Sequence, residues 1–332
     1  MYFILSGDGG GIRGVLTARI VQRLSELLAK DGINLLKSVD MFTGASTGGI
    51  LAGGYAYGLN ANEVVDIYAT RGEQIFYDSV WDDIVDIGGL AGAEFSTAPL
   101  RGVLESYFGD VQLGDLPKTI HIPTCQCERD ISVNGGTIRT SGVKFYHNWR
   151  GDNTKGEDLE KRLVDVLLYT SAAPTYFPIV DGHFDGGVAA NNPTDCAIAF
   201  AKRKGIKPDD MMVLSIGTGV NPRPIKESNG SPVGNGDWGY KKWLKAGLIQ
   251  LMMELPQGIV NYRCDSWLND RDENDNITNE RYHRVQAILP RTIDLASSEE
   301  VPALIELANN IDLRPAHKWV VSKLKATDTG VA

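Results

Sequence analysis

Two glycine-rich turns within the first fifty residues constrain the fold of this chain more than any other feature. The apolar run Tyr2–Ser6 stops at Asp8-Gly9-Gly10-Gly11-Ile12-Arg13-Gly14, and Val15–Ala29 then carries Leu16, Ile20, Leu24, Leu27 and Leu28 at helical spacing. A second apolar run, Val39–Thr43, leads into Gly44-Ala45-Ser46-Thr47-Gly48 and a helix of small residues over Gly48–Tyr57. Strand, glycine turn, helix, strand, serine turn, helix is a βαβα opening. Such an opening implies a parallel sheet whose strands are buried.

The rest of the chain extends this pattern. Pro99–Phe108 reads as a helix capped by Ser96 or Thr97, Thr119–Gln126 and Ile131–Val133 as strands, and Leu159–Tyr169 as a helix. Met211–Ile216 is an apolar strand that stops at Gly217-Thr218-Gly219. Residues 221–239, rich in proline and glycine, form a long loop, and Trp243–Met253 follows as an apolar helix. Residues 269–276 read as a solvated acidic loop, Arg281–Leu289 as the last strand and Val301–Asn310 as a late helix. The mixed stretch 72–98 reads as a connection rather than a mobile flap. No repeat, low-complexity linker or compositional break divides the 332 residues, so residues 1–332 are read as one domain.

Charge and cysteine content narrow the function classes. A net charge of −9 argues against a DNA or RNA surface, which needs concentrated Lys and Arg. A neutral lipid surface, or a small charged ligand in a local pocket, stays compatible with it. Cys125 and Cys127 flank one residue of a strand and point to the same face, but no second Cys or His pair follows at ligand spacing, so no metal is expected. Asp270, Asp272 and Asn274 fit the first positions of a calcium loop, yet Asp275 stands where glycine is required and Arg281 where the closing glutamate belongs. With no basic-then-apolar leader and no window near a transmembrane span, a cytosolic protein is expected.

Three stretches carry chemistry. Gly44 to Gly48 is a Gly-x-Ser-x-Gly run between a strand and a helix, the setting of a nucleophilic serine on a sharp turn. Ser46 needs a neighbouring base to take its proton, and no histidine stands in an obvious catalytic setting. Asp185, in Phe184-Asp185-Gly186-Gly187, is a carboxylate able to serve if burial raises its pKa. The glycine loop has two readings. Gly9, Gly11 and Gly14 match a dinucleotide fingerprint, although Asp8 would oppose a pyrophosphate and no acid ends the second strand. The other reading is an oxyanion hole, in which backbone N–H groups approach a reacting centre closely.

Taken in this order, Asp-Gly-Gly-Gly-x-Arg-Gly at 8–14, Gly-x-Ser-x-Gly at 44–48 and Asp-Gly-Gly at 185–187 resemble the patatin-like phospholipases. The stretches 171–178, 191–193 and 214–219 are also similar to segments of that family. The resemblance implies a three-layer α/β/α sandwich and a Ser–Asp dyad without histidine, cofactor or metal. It places Ser46 as nucleophile, Asp185 as base, the Gly9, Gly10 and Gly11 amides as oxyanion hole, and Arg13 as the brace of that loop. The function expected is release of fatty acids from glycerophospholipids at the inner face of the cell membrane. Within that expectation stand an antiphage effector switched on by a cyclic oligonucleotide, with Arg223, Lys226, Trp238, Lys241 and Lys242 beside the long loop, and a constitutive lipid esterase. A non-catalytic nucleotide-binding module is the rival outside it. Trp243, Leu244, Leu248, Leu251 and Met252 are read as core rather than as a lipid-facing stripe.

Overall fold

The computed structural model describes residues 1–75, 92–149, 158–222, 224–226, 230–233 and 235–328. Strands β1 (Tyr2–Gly7), β2 (Met41–Gly44), β3 (Thr119–Val133), β4 (Gly136–His147), β5 (His183–Asp185) and β6 (Met211–Ile216) belong to one sheet. An exposed two-stranded ribbon, β7 (Asp270–Arg271) with β8 (Ile277–Asn279), precedes β9 (Tyr282–Val285), the seventh strand of the main sheet. The order is β4-β3-β2-β1-β6-β9, with β5 paired to β3. Every pairing from β3 through β2, β1 and β6 to β9 is parallel, and only β4 and β5 run antiparallel.

Side-chain alternation along the parallel strands sorts the core into two layers. Phe3, Leu5, Phe42, Met212 and Leu214 face a large cluster supplied by helices Gly14–Ala29, Thr47–Tyr57, Leu163–Ser171 and Val301–Asn310. Ile4, Met41, Met211 and Val213 face the other way, onto Ala197, Ile198 and Phe200 of helix Thr194–Arg203 and Val260, Cys264 and Leu268 of helix Pro256–Leu268. A mainly parallel sheet covered on both faces is a three-layer α/β/α sandwich.

One close approach positions the second turn. A side-chain carbon at Gly48 would lie 2.2 Å from the Gly7 carbonyl oxygen, and one at Gly44 would lie 2.0 Å from that of Gly48. These glycines let helix Thr47–Tyr57 begin directly over the ends of β1 and β2. Buried on every side, that helix is apolar all round.

Several boundaries differ from the sequence reading. Thr119–Gln126 and Ile131–Val133 are one strand with an irregularity between Gln126 and Arg129. Its partner β4 was missed, although Asn134-Gly135, both at positive φ, is a hairpin signal. The helix expected over Trp243–Met253 is two, Tyr240–Lys245 and Leu248–Glu254, divided at Gly247 with φ 81°. The helix before β5 is Leu163–Ser171, beginning later than expected, and the acidic loop contains the β7–β8 ribbon. Most of the 72–98 connection falls outside the described residues; what is described includes the end of helix Ala61–Ile75 and helix Thr97–Phe108, capped by Ser96.

Two alanine substitutions test this packing in opposite directions. Gly48→Ala meets backbone atoms that cannot rotate away, and is expected to lower unfolding free energy by about 2 kcal/mol or more. Gly102→Ala, in helix Thr97–Phe108 with open space at its side-chain position, is expected to raise it by up to about 1 kcal/mol. Urea denaturation of both variants against the parent checks the pair.

Candidate active site

Ser46 sits at the hinge between β2 and helix Thr47–Tyr57 with φ 53° and ψ −125°, a region that side chains other than glycine rarely adopt. Its surroundings hold it there. The Ser46 N–H donates to Thr170 Oγ1 at 3.1 Å, and the Thr170 hydroxyl donates to the Pro123 carbonyl of β3 at 2.7 Å. On the helix side, the Ser46 carbonyl accepts from Gly49 at 2.8 Å and Ile50 at 3.2 Å. The elbow is thus tied both to the sheet and to the helix it starts.

Asp185 reaches the same place by strand pairing. The last β2–β3 pair is Thr43 with His121, and β2 itself ends one residue later at Gly44. The vacated edge of β3 is taken by β5, with Asp185 opposite Thr124. A side-chain carbon at Gly186 would lie 2.0 Å from the Pro123 carbonyl oxygen, so only glycine allows the chain to leave β5 this closely. Asp185 is fully buried; its Oδ1 accepts from the Gly187 N–H at 2.6 Å. Oδ2 is buried with no hydrogen bond of regular geometry among the described residues. Burial pushes the Asp185 carboxyl up to about 7, against opposing pulls from the Gly187 amide and the Ser46 hydroxyl. A carboxylate tuned to neutrality next to a serine hydroxyl is suited to proton transfer.

The glycine loop departs from expectation at one position. The Gly9 N–H donates to the Asn191 carbonyl at 2.8 Å, which removes it from the expected donor set and leaves Gly10 and Gly11. Gly10 and Gly11 line the cleft beside Ser46, and their N–H groups donate to no group among the described residues. Arg13 acts on this loop from behind. Its backbone N–H (3.2 Å) and Nε (3.3 Å) both donate to the Gly10 carbonyl, and Nη2 pairs with Glu254 at 3.1 Å. Because the peptide is trans, fixing the Gly10 carbonyl toward Arg13 turns the Gly11 N–H the opposite way. Gly11 has φ 56°, and a side-chain carbon there would lie 2.2 Å from the Leu295 carbonyl oxygen.

Asp8 faces inward and is wholly buried. Both of its oxygens accept from the Arg284 guanidinium of β9, one at 2.8 Å, and Arg284 also donates to Ser215 Oγ at 2.7 Å. This ion pair ties the end of β1 across β6 to β9. The first residue of the glycine motif is therefore structural, and the loop lies against Thr218, Asn191 and Leu295.

Ser46, Asp185, Gly10, Gly11 and Arg13 meet in one cleft, walled by apolar side chains including Ile50, Leu100, Phe177 and Met253. None of the five histidines lines it. His183, two residues from Asp185, has Nδ1 at 2.8 Å from the Asp181 carbonyl and Nε2 at 3.0 Å from the Tyr146 hydroxyl. His283 lies against Glu280 and His317 against Asp31. Sequence reasoning missed Thr170, Asn191 and Glu254. Asn191 had a signal in the Asn-Asn-Pro stretch, whereas a threonine within one helix and a glutamate ending another had none.

The chain belongs to the patatin-like phospholipase family, whose model matches residues 5–198. It is similar to the cGAMP-activated phospholipases of Escherichia coli, 32% identical over 65% of this chain and 61% of the relative, and of Vibrio cholerae, 32% identical over 65% and 63%. It thus spans less than two thirds of the length of either. Patatin-like protein 4 of Arabidopsis thaliana is 28% identical over 82% of this chain and 74% of its own. Among the described residues no helix is long and apolar enough to cross a membrane.

The burial of Asp185 has a stability consequence with a definite sign. Its folded pKa of about 7 lies above the ordinary 3.8, so the native state holds this proton more tightly than the unfolded chain. Stability is then lost as pH rises from about 4 through about 7, by at most about 4 kcal/mol. Asp185→Asn keeps an oxygen for the Gly187 N–H and cannot ionise. It is expected to melt higher than the parent at pH 8 and nearly level with it at pH 3, below the ordinary carboxyl pKa, as calorimetry at the two pH values will check.

Proposed function

We propose that this chain is a serine acyl hydrolase that releases fatty acids from glycerophospholipids through a Ser46–Asp185 dyad. The observation that carries the reading is the buried Asp185 carboxyl, tuned to neutrality beside a strained serine. Ser46 Oγ attacks the acyl carbonyl while Asp185 Oδ2 takes its proton. The Gly10 and Gly11 N–H groups receive the tetrahedral oxyanion, positioned by the Arg13 contact to the Gly10 carbonyl. Collapse expels the lysolipid alkoxide, which regains the proton from Asp185. In the second half, Asp185 deprotonates water, the oxygen attacks the acyl-serine, and collapse frees the fatty acid as the proton passes from Asp185 to Ser46 Oγ. The apolar walls fit an acyl chain.

A second observation favours a regulated form of the same activity. The two bacterial relatives are named for activation by cGAMP. In this chain a surface depression lined by Lys226, Lys245 and Thr292 includes Gln250, which also lines the catalytic cleft. Of the residues set beside the long loop, Lys242 lies over the Trp238 ring at 5.7 Å, and Arg223 falls outside the described residues. A ligand seated in that depression would act on the cleft through Gln250. This supports a ligand-activated enzyme, the form an antiphage effector would take, over constitutive lipid turnover at the membrane's inner face. Assay with and without a panel of cyclic oligonucleotides tests it; equal rates throughout would favour the constitutive esterase.

Ser46→Ala is expected to abolish hydrolysis and labelling by a fluorophosphonate probe; labelling at another serine would overturn the assignment. Asp185→Asn is expected to cost at least about 100-fold in rate, the scale of a general base. His283→Ala and His317→Ala should stay near the parent rate. Because the base acts deprotonated, kcat/KM on a soluble ester should fall as pH drops through about 7.

Gly10→Ala sets a side-chain carbon 2.4 Å from Thr218 Oγ1 and shifts the donors. It is expected to lower kcat by roughly 100-fold with far less effect on substrate binding. Unchanged turnover, with lost affinity for NAD or ATP in titration, would instead make the loop a nucleotide site.

A further inference from the structure

Helices Leu248–Glu254 and Pro256–Leu268 are apolar on two opposed faces. Leu251, Val260, Cys264 and Leu268 are buried, the last three in the layer beneath the sheet. Met252, Leu255, Ile259 and Tyr262 recur at intervals of three, four and three residues, which places them on one side of a continuous helical path. Their exposures are 65%, 67%, 55% and 72%. An apolar stripe at helical spacing normally marks a buried face, and four large side chains left this open in a row mark an interaction surface.

Charge indicates what covers it. The chain carries a net charge of −9, yet residues 238–262 hold Lys241, Lys242 and Lys245 against the single acid Glu254, which is paired with Arg13. The three lysines are exposed on helix Tyr240–Lys245, which contacts helix Leu248–Glu254, and Tyr240, 75% exposed, opens that basic turn. A locally cationic, aromatic-bearing segment continuous with an exposed apolar stripe is complementary to an anionic phospholipid surface, whereas a two-fold pairing of this face with itself would set its lysines against their own copies. The stripe also adjoins the chemistry. Gln250, Met253 and Glu254, on the same helix as Met252, line the catalytic cleft. Met252 and Ile259 line a groove that reaches Asn191 and Met253, both of them cleft residues.

We infer that the face formed by Met252, Leu255, Ile259 and Tyr262, flanked by Lys241 and Lys245, is a docking surface for an anionic phospholipid bilayer. It would set the mouth of the catalytic cleft against the membrane. The inference rests on the acyl-hydrolase reading for the purpose of docking, but binding is measured separately from hydrolysis.

The test uses the full chain carrying Ser46→Ala, so that vesicles stay intact, in co-sedimentation with large vesicles of phosphatidylcholine alone or mixed with phosphatidylglycerol. Ser46→Ala is expected to bind, and more tightly to the anionic vesicles. Adding Leu255→Gln and Tyr262→Gln should weaken binding to both by at least about tenfold. Adding Lys241→Gln and Lys245→Gln instead should weaken binding to the anionic vesicles alone. With Ser46 restored, Leu255→Gln/Tyr262→Gln should hydrolyse a soluble short-chain ester within about twofold of the parent, since neither residue lines the cleft. Fatty acid release from vesicles should fall in step with binding.

Vesicle binding unchanged by Leu255→Gln/Tyr262→Gln overturns the inference. So does failure of Ser46→Ala to bind either vesicle. A shift of the double variant from dimer to monomer in light scattering, with vesicle binding intact, would assign the face to a second copy instead. Loss of soluble-ester hydrolysis in the parent itself would overturn the catalytic reading and leave the docking result standing.

Discussion

The structure depends on how the unpaired edge of one strand is filled. β2 pairs with β3 only as far as Thr43 and then turns away, leaving the backbone of Thr124–Gln126 without a partner on that side. Buried backbone groups must be satisfied, and the three residues of β5 satisfy these. The same event sets Asp185 opposite Thr124, in the cleft lined by Ser46 of the turn that follows β2. Serine and aspartate meet because one strand departs and another completes its neighbour's hydrogen bonding.

That meeting has costs which the surrounding contacts offset. Ser46 holds a conformation worth on the order of 1–3 kcal/mol of strain, and Asp185 is desolvated with one oxygen unsatisfied. The glycines at 44, 48 and 186 remove the side chains that would prevent the close approach. Thr170 links the elbow to Pro123 of β3 by two hydrogen bonds. Energy stored at the site is balanced by rigidity around it, and the buried carboxyl acquires a pKa near neutrality from the same desolvation that destabilises it.

Two ion pairs show how differently neighbouring charges of one motif are used. Asp8 and Arg284 lock β1 to β9 and take no part in the cleft. Arg13 and Glu254 join the glycine loop to a helix whose opposite side is exposed and apolar. The first pair secures the scaffold. The second connects the peptide that presents the Gly11 amide to the helix that bears the proposed lipid-facing surface.

Much was legible in the sequence because it is local. A strand ending in glycines, a serine inside a Gly-x-Ser-x-Gly turn and a helix of small residues each describe the backbone within a few positions, so β1, β2, the elbow and Met211–Ile216 lie close to where they were expected. The family motifs likewise pointed to Ser46, Asp185 and the glycine loop before any geometry was known. What the sequence alone could not decide were relations between distant residues. Asp8 and Arg284 are 276 positions apart, and nothing near either one announces the other. The Gly9 amide was lost from the expected oxyanion set because Asn191, 182 residues onward, takes it. Leu251 and Met252 are adjacent apolar residues, one buried and one open. Helical spacing states that a face exists; only the packing of the sheet determines which face is covered and which is left to a partner.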